Sequence, residues 1–223
     1  MQKSLIILTL FISNQVFAQN NSEQIFPNEK AIIFTTMDNK TTDAFEGYIT
    51  VPENRNTNTS RLIPVKYVRF PATGDKKGSP IIYLSGGPGG SGIDTAKYPN
   101  FRFPMFMALR EFGDVIALDQ RGTGASKTAA KCVSSQTLPL TTTLTNDSVT
   151  KLYQKAANEC VKFWQSEGVD ILGYTTTQSA LDIDDLRRHL QAEKVSLWGI
   201  SYGSHLAFSV MKELSGKIDK VVI

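Results

Sequence analysis

The sequence predicts an α/β protein with a largely parallel sheet. Three short apolar runs, Ile81–Leu84, Val115–Leu118 and Val195–Trp198, have the length and composition of strands buried on both faces. Segments in which apolar residues recur at helical spacing separate these runs. Because neighbouring parallel strands need long crossover connections, strands that alternate with helices are typical of a parallel α/β sheet.

The composition is that of a globular domain. The chain has 223 residues, of which 41% are hydrophobic and 20% are charged. It is therefore long enough to bury a sizeable core, and it is unlike a disordered tail. Its formal net charge of +3 excludes the strongly basic footprint of a nucleic-acid-binding protein, so we expect no nucleic-acid partner.

Residues Met1–Ala18 have the pattern of a secretory signal peptide. Lys3 gives a positive start, Leu5–Ile12 is a short apolar run, and Val16-Phe17-Ala18 offers a cleavage site. The run is far shorter than the roughly 20 apolar residues that cross a bilayer. We expect cleavage after Ala18, which predicts a secreted or periplasmic protein with no integral membrane span. The alternative is a buried N-terminal helix.

The two cysteines, Cys132 and Cys160, are interpreted as a disulfide. Export places an even pair of cysteines in an oxidising compartment, and closing the loop between them would stabilise the fold by about 3–4 kcal/mol in the chain-entropy model. The alternative is two separate buried thiols. Neither cysteine has a second ligand at metal-site spacing, so we expect no metal.

Residues 19–44 are expected to form a lead-in, polar and loose as far as residue 30, and then a first strand at Ala31–Thr36. Two more β-rich stretches follow at Phe45–Val51 and Leu62–Phe70. The polar run Pro52–Arg61 between them predicts a hairpin loop.

Helical patterns fill the gaps between the buried runs. A short helix is predicted over Phe103–Phe112. A longer one covers Val149–Trp164, where Asn146-Asp147-Ser148 can cap its start and Gly168 lies where it would end.

A third helix starts with Thr175 and Gln178, which resemble a capping box, and places Ile183, Leu186 and Leu190 on one face. Its charges suit the helix dipole and are interpreted as a solvated face. They are Asp182, Asp184, Asp185, Arg187, Arg188 and His189.

The pentapeptide Gly199-Ile200-Ser201-Tyr202-Gly203 is a G-x-S-x-G motif. It directly follows a predicted buried strand and opens a helical pattern, which is the strand–turn–helix context of a nucleophile elbow. Flanking glycines let the backbones approach closely, so that a serine can occupy a strained turn with its oxygen exposed. Ser201 is the candidate nucleophile. The alternative is a tight turn with a passive serine.

A glycine-rich loop at 85–92, SGGPGGSG, follows the strand Ile81–Leu84. Acyl transfer develops negative charge on the carbonyl oxygen, which fixed backbone N–H groups stabilise. The N–H of Tyr202 is one candidate donor; Gly87 is the first choice for the other and Gly86 the second. The alternative is a flexible turn without a ligand.

The same loop also fits a different class of protein. Gly87, Gly89 and Gly92 spell G-x-G-x-x-G, and Asp119 closes the next strand as a ribose-binding acid would. A dinucleotide-binding module is therefore the rival hypothesis. It is weakened by Pro88, which removes an N–H group that should face a pyrophosphate, and we expect no cofactor.

Three ordered motifs resemble a known family. The chain reads SGGPGGSG at 85–92, DQRGTGAS at 119–126 and GISYGSHLA at 199–207. Serine exopeptidases of the α/β-hydrolase superfamily, of the proline iminopeptidase and tripeptidyl aminopeptidase type, combine similar motifs in this order. The resemblance covers 45–223 and implies an α/β-hydrolase fold, with a mostly parallel sheet, flanking helices and an inserted lid.

The resemblance implies roles for single residues. Ser201 looks like the nucleophile, and Gly87 with Tyr202 like the oxyanion hole. Asp119 and Arg121 look like part of the turn after the family's fourth sheet strand, beside the site. Ser85 stands where many members have histidine, which favours the secreted tripeptidyl branch.

A serine nucleophile needs a base, and the α/β-hydrolase order is Ser, then Asp or Glu, then His. Only His205 follows Ser201, at i+4 on the same helix, where it is interpreted mainly as a packed histidine. His189 is interpreted as a surface residue. Lys220–Ile223 look like the first half of another buried strand. The chain is therefore expected to be the N-terminal part of a longer enzyme, incomplete at the C-terminus and inactive alone.

The leading hypothesis is a secreted serine aminopeptidase that acts on peptides through an acyl-enzyme at Ser201. An esterase or lipase on the same fold is the second hypothesis, because fold and elbow do not separate the two activities. The third is a non-catalytic, truncated hydrolase that acts as a binding module.

Overall fold

A seven-stranded sheet forms the centre of the computed structural model, which describes residues 25–138, 141 and 143–223. The strands are β1 (Lys30–Thr35), β2 (Thr41–Pro52), β3 (Leu62–Phe70), β4 (Ile81–Leu84), β5 (Val115–Leu118), β6 (Val195–Gly199) and β7 (Ile218–Val222). The helices are α1 (Gly92–Ala96), α2 (Arg102–Leu109), α3 (Asn146–Ser166), α4 (Thr176–His189) and α5 (Tyr202–Glu213). The predicted signal peptide, Met1–Ala18, lies outside the described residues.

The sheet has the order β1-β2-β3-β5-β4-β6-β7. Strands β5, β4, β6 and β7 pair in parallel, and β1, β2 and β3 extend the sheet in antiparallel fashion. Pro52 pairs with Leu62, so the residues between them form the predicted hairpin loop. Leu84 pairs with Gly199, so β4 and β6 end at the same edge of the sheet. The turns that follow these two strands therefore lie side by side.

Helices cover both faces of the parallel strands, which is why those strands are apolar along their whole length. Helices α4 and α5 bury Ile183, Leu186, Leu206 and Val210 on one face. Helices α1 and α2 bury Ala96, Phe103 and Phe106 on the other. The predicted α/β class is confirmed.

Helix α3 packs differently from the others, because none of its 21 residues is buried. Its cap is Thr145, one residue before the predicted group Asn146-Asp147-Ser148. The Thr145 side chain accepts from the Ser148 N–H at 3.2 Å, and the Ser148 hydroxyl accepts from the Thr145 N–H at 3.0 Å. The helix ends before Gly168, whose φ of 71° confirms the predicted stop.

Two other helix ends differ from the prediction. Helix α2 stops at Leu109, and the Phe112 N–H bonds back to the Leu109 carbonyl in a turn that leads into β5. At the start of α4, the Thr175 hydroxyl accepts from the Gln178 N–H as predicted. The Gln178 amide does not complete the capping box; its oxygen accepts from Arg55 at 3.0 Å.

The prediction of a loose lead-in is wrong for its last residues. The Glu29 side chain is completely buried and accepts from the Arg69 guanidinium at 2.7 and 2.8 Å. The Tyr67 hydroxyl donates to the same carboxylate at 3.1 Å. Because Arg69 is itself buried inside β3, it needs a carboxylate partner, and the residues before β1 supply it.

The prediction of a fully solvated charged face on α4 is wrong for two residues. Asp182 is only 3% exposed and binds two arginines. His189 is half-buried, and its Nε2 lies 2.9 Å from the Tyr67 hydroxyl. Burial lowers the pKa of His189, although the charge of Glu29 partly opposes this shift. Removal from water therefore outweighs the attraction of the Glu29 charge at this position.

The predicted disulfide between Cys132 and Cys160 is present, with a Cα–Cα distance of 5.6 Å. It ties α3 to the loop that follows the turn after β5. Within the described part of the chain, no helix combines the length and the apolar character needed to cross a bilayer.

Candidate functional site

Ser201 occupies a sharp turn between β6 and α5. Its backbone has φ 56° and ψ −120°, a region that a non-glycine residue rarely adopts. The turn is closed by hydrogen bonds from the Gly203 N–H to the Ile200 carbonyl at 2.8 Å and from the Ser204 N–H to the Ser201 carbonyl at 2.9 Å. The Ser201 side chain is exposed. The strand, the tight turn and the helix that the motif predicts are therefore all present.

The tightness of the turn depends on Gly203. A methyl group at this position would overlap the Leu84 carbonyl oxygen. Gly203 is buried, and it allows the first turn of α5 to pack directly on the end of β4. Any larger residue would push the start of α5, and Ser201 with it, away from the glycine loop.

The glycine loop 85–92 lies directly against Ser201. A methyl group built on Gly86 would come within 3.0 Å of the Ser201 Cβ and 3.5 Å of its Oγ. The loop folds back through a hydrogen bond of 3.0 Å from the Gly90 N–H to the Gly86 carbonyl. Gly87 follows with φ 122° and a cis peptide bond to Pro88. The two sequence motifs thus form one site.

Two backbone donors beside Ser201 have no acceptor. In the described part of the chain, neither the Gly87 N–H nor the Tyr202 N–H makes a hydrogen bond. The Tyr202 N–H belongs to the first residue of α5, where the helix leaves its N–H groups without internal partners. Free N–H groups at a helix start favour an anion or a developing negative charge.

Asp119 fastens the glycine loop to the turn after β5. This carboxylate is 1% exposed and accepts from the Ser91 hydroxyl at 2.7 Å, the Ile93 N–H at 3.1 Å and the Ala125 N–H at 2.7 Å. This carboxylate is therefore buried and engaged within the protein rather than presented to a ligand. That placement does not suit the ribose-binding acid of the dinucleotide-binding hypothesis.

Arg121 anchors the same turn to α4. Its guanidinium donates to Asp182 through Nε at 2.7 Å and Nη2 at 2.5 Å, and to the carbonyls of Glu53 and Gly173, each at 2.6 Å. Arg55 from the hairpin loop donates to Asp182 Oδ1 at 2.7 Å, the same oxygen that accepts from Nη2 of Arg121. One buried carboxylate therefore joins the hairpin loop, the turn after β5 and helix α4.

Asp182 and Arg55 are residues that sequence reasoning missed. The sequence did contain a signal for the burial of Asp182. This residue lies three positions after Ser179 and four before Leu186, on the helix face that is buried in α4. A carboxylate within an apolar stripe indicates a buried cationic partner.

Glu53 adds a second buried carboxylate near this junction. It binds Arg61 at 2.7 and 2.9 Å and accepts from the Tyr174 hydroxyl at 2.7 Å. Burial by itself would raise the pKa of Glu53, but hydrogen bonds from Arg61, Tyr174 and the Asp170 N–H outweigh it, and the pKa lies below its ordinary value. Glu53 is therefore a structural group whose charged form is stabilised by its partners.

Ser85, at the start of the glycine loop, is held in place by a hydrogen bond from the turn after β5. It is 3% exposed, and its carbonyl accepts from the Gln120 side-chain amide at 3.0 Å. Gln120 directly follows Asp119, so the DQRG segment supports the glycine loop through two successive side chains.

The structure places neither histidine in contact with the Ser201 oxygen. The interpretation of His205 as a packed histidine is wrong: it is exposed on α5, and its ring lies 5.7 Å from that of Tyr202. His189 ends α4, whose other end contacts the site through the Thr176 and Tyr202 hydroxyls, 2.9 Å apart. Because a 14-residue helix is roughly 20 Å long, His189 is separated by about that distance from Thr176, and its Nε2 faces the Tyr67 hydroxyl instead.

The expectation of no metal concerns the possible ligand groups around the site. Among the described residues, no group of three His, Cys, Asp or Glu side chains could hold a metal ion. The features that converge on Ser201 are backbone donors and the support of buried side chains.

Comparisons with known proteins agree with this geometry. The family model described as alpha/beta hydrolase fold matches residues 79–223. The protein YuaR of Escherichia coli K12 is 30% identical over 185 residues, which is 79% of this chain and 35% of that protein. Serine protease Hip1 of Mycobacterium tuberculosis H37Rv is 26% identical over 79% of this chain and 35% of its own length.

The tripeptidyl aminopeptidase of Streptomyces coelicolor is 29% identical over 72% of this chain and 31% of its own length. The chain thus spans about a third of the length of these relatives. The family match covers more than half of the chain and includes the glycine loop, the turn after β5 and the serine turn. The chain belongs to the α/β hydrolase fold family.

Proposed function

We propose that this chain carries the nucleophile and the oxyanion hole of a serine aminopeptidase, in which Ser201 forms an acyl-enzyme with the N-terminal part of a peptide. The observation that carries the proposal is the strained backbone of Ser201, held against Gly86 beside two free N–H groups. Strain of this kind persists where the surrounding structure enforces it, commonly at active sites.

The proposed chemistry follows from the site. The Ser201 oxygen attacks the scissile carbonyl, and the charge that develops on the carbonyl oxygen is met by the N–H groups of Tyr202 and Gly87, or of Gly86 in place of Gly87. One such donor contributes on the order of 3 kcal/mol to lowering the barrier. The donors need no rearrangement, since the elbow and the buried carboxylates already fix them.

The base is proposed to lie outside these 223 residues. A base must reach the Ser201 hydroxyl within hydrogen-bond distance, and neither His189 nor His205 bonds to it in this structure. The relatives are about three times as long as the matched region. We therefore propose that the acid and the histidine of the triad follow Ile223, and that these 223 residues alone lack peptidase activity.

The choice of a peptidase over an esterase rests on the relatives. Two of them are named as a serine protease and a tripeptidyl aminopeptidase. We propose export as the location, because the Met1–Ala18 pattern is that of a signal peptide and the disulfide suits an oxidising compartment.

The decisive experiment uses protein made from the whole open reading frame. A fluorophosphonate probe should label it covalently, and Ser201→Ala should abolish labelling while Ser204→Ala retains it. Paired amide and ester substrates with the same tripeptidyl group then separate peptidase from esterase. Labelling that survives in Ser201→Ala would refute the proposed nucleophile, and hydrolysis of the ester alone would refute the peptidase assignment.

A further inference from the structure

A cavity of about 590 Å³ opens beside the glycine loop. Its lining includes Gly86 and Gly87 of the loop and Ile200, the residue before Ser201. The segment 98–101, between α1 and α2, lines it as well, together with Arg102, the first residue of α2. A group bound in this cavity would therefore lie next to the position of the reacting carbonyl.

Arg102 gives the cavity its charge. It is the one charged residue among the described residues that line the cavity. Its guanidinium carbon lies 5.1 Å from the centre of the Phe101 ring, and the residue is half-buried. Within the described part of the chain, no carboxylate forms an ion pair with Arg102. Arg121, by contrast, is bound to the buried acid Asp182.

The chemistry of Arg102 and Phe101 favours an anionic ligand, and a carboxylate in particular. A guanidinium is always charged and matches a carboxylate with two parallel hydrogen bonds. The cation–π contact with the Phe101 ring restricts this side chain in advance, so less side-chain freedom is lost when an anion binds. Asn100 and Thr95, which also line the cavity, offer uncharged polar groups to the same ligand.

We propose that this cavity binds a carboxylate on the substrate and that Arg102 determines this specificity. The inference rests on the proposed function, since it takes Ser201 as the reacting centre. On a peptide, the carboxylate is either the free C-terminus or an acidic side chain. A free C-terminus would make the enzyme prefer short peptides, whereas an acidic side chain would give it a sequence preference.

Binding to the Ser201→Ala protein from the whole open reading frame tests the proposal without turnover. Calorimetry compares Ala-Ala-Ala-Ala with its C-terminal amide, and Ala-Ala-Glu-Ala amide with Ala-Ala-Gln-Ala amide. We expect the charged member of one pair to bind about tenfold more tightly than its neutral partner, the effect of one charge-assisted contact in a partly exposed site. Which pair shows the difference identifies the source of the carboxylate.

Three variants assign the effect to Arg102. In the Ser201→Ala background, Arg102→Gln should remove the preference and Arg102→Lys should keep part of it. Arg188→Gln, which removes an exposed charge at the far end of α4, should leave it unchanged. Thermal melting verifies that each variant is folded.

The proposal is overturned if neither pair shows a charge preference, if no peptide binds, or if the preference survives in Arg102→Gln. Failure of the proposed function has a different signature. In that case the protein with Ser201 intact neither reacts with the fluorophosphonate nor cleaves the peptides, while the Arg102-dependent preference for the carboxylate remains.

Discussion

Two regions of the molecule are held in place in different ways: helix α3, and the edge of the sheet where β4 and β6 end, called here the serine edge. At the serine edge, Gly86 and Gly203 lie in backbone contacts so tight that a methyl group would clash, and buried carboxylates fix the turns. Helix α3 buries none of its residues. It is attached by the Cys132–Cys160 disulfide and by polar contacts such as the bond of 3.1 Å from the Trp164 indole to the Ala130 carbonyl.

The difference shows where positional accuracy comes from. A segment that is held by close backbone packing and by paired buried charges has only one favourable position, because any displacement creates atomic overlap or an unpaired charge. A covalent link with surface hydrogen bonds holds a segment nearby but allows it to move. We infer that changes at the serine edge affect global stability and reactivity together, whereas changes at α3 stay local.

The largest expected effect is at Asp182. Asp182→Asn would leave the Arg121 and Arg55 guanidinium groups near a neutral amide in a buried site. Loss of one partner of a buried ion pair costs about 3–5 kcal/mol, so the free energy of unfolding measured with denaturant should fall by this amount. Asp184→Asn, on a more exposed part of the same helix, should cost less than about 1 kcal/mol. Equal losses would contradict the buried network.

The second effect concerns reactivity. Gly86→Ala places a methyl group 2.9 Å from the Ile200 carbonyl and 3.0 Å from the Ser201 Cβ. Displacement of the loop should reduce the rate of fluorophosphonate labelling about 100-fold, as expected for the loss of one oxyanion donor. Ser204→Ala, which leaves the glycine loop unchanged, is the control. It should label within a fewfold of the parent, and equal slowing would show that contact with Ser201 is not the cause.

The third effect should be confined to α3. The chain-entropy model gives about 3–4 kcal/mol for the disulfide if the whole fold depends on it. Because α3 buries no residue, we expect Cys160→Ser to lower the global free energy of unfolding by less than this. Hydrogen exchange should show lost protection in α3, with protection in β4 and β6 unchanged. Loss of protection in the central strands would mean that α3 is part of the cooperative core.

The smallest effect is a dependence of stability on pH at His189. Burial lowers the pKa of His189, so the unfolded chain binds its proton more readily than the folded protein does. The contribution of His189 to stability is therefore complete above the unfolded pKa near 6.5 and is lost as the pH falls through the lower folded value. His189→Gln should flatten the fall in unfolding free energy between pH 7 and 5, and an unchanged slope would contradict this.

Much of the fold could be predicted from local patterns. The runs Ile81–Leu84 and Val115–Leu118 match β4 and β5 residue for residue, because strands buried on both faces must be apolar throughout. The serine turn was also predictable, since the glycines of Gly199–Gly203 are required by the turn itself. By contrast, the partners of Asp182 and Glu29 come from distant segments, and helical periodicity carries no information about them.

The sequence by itself determined the α/β class, the position of Ser201 at the end of a buried strand and the pairing of the cysteines. These follow from local periodicity, turn chemistry and an even cysteine count. Only the tertiary structure decided that Asp119 and Asp182 are buried and bound to groups from other segments. It also decided that Glu29 pairs with Arg69 and that neither histidine bonds to Ser201. The physical reason is that a charge becomes structural only when folding removes it from water beside a partner, and that partner lies far away in the sequence.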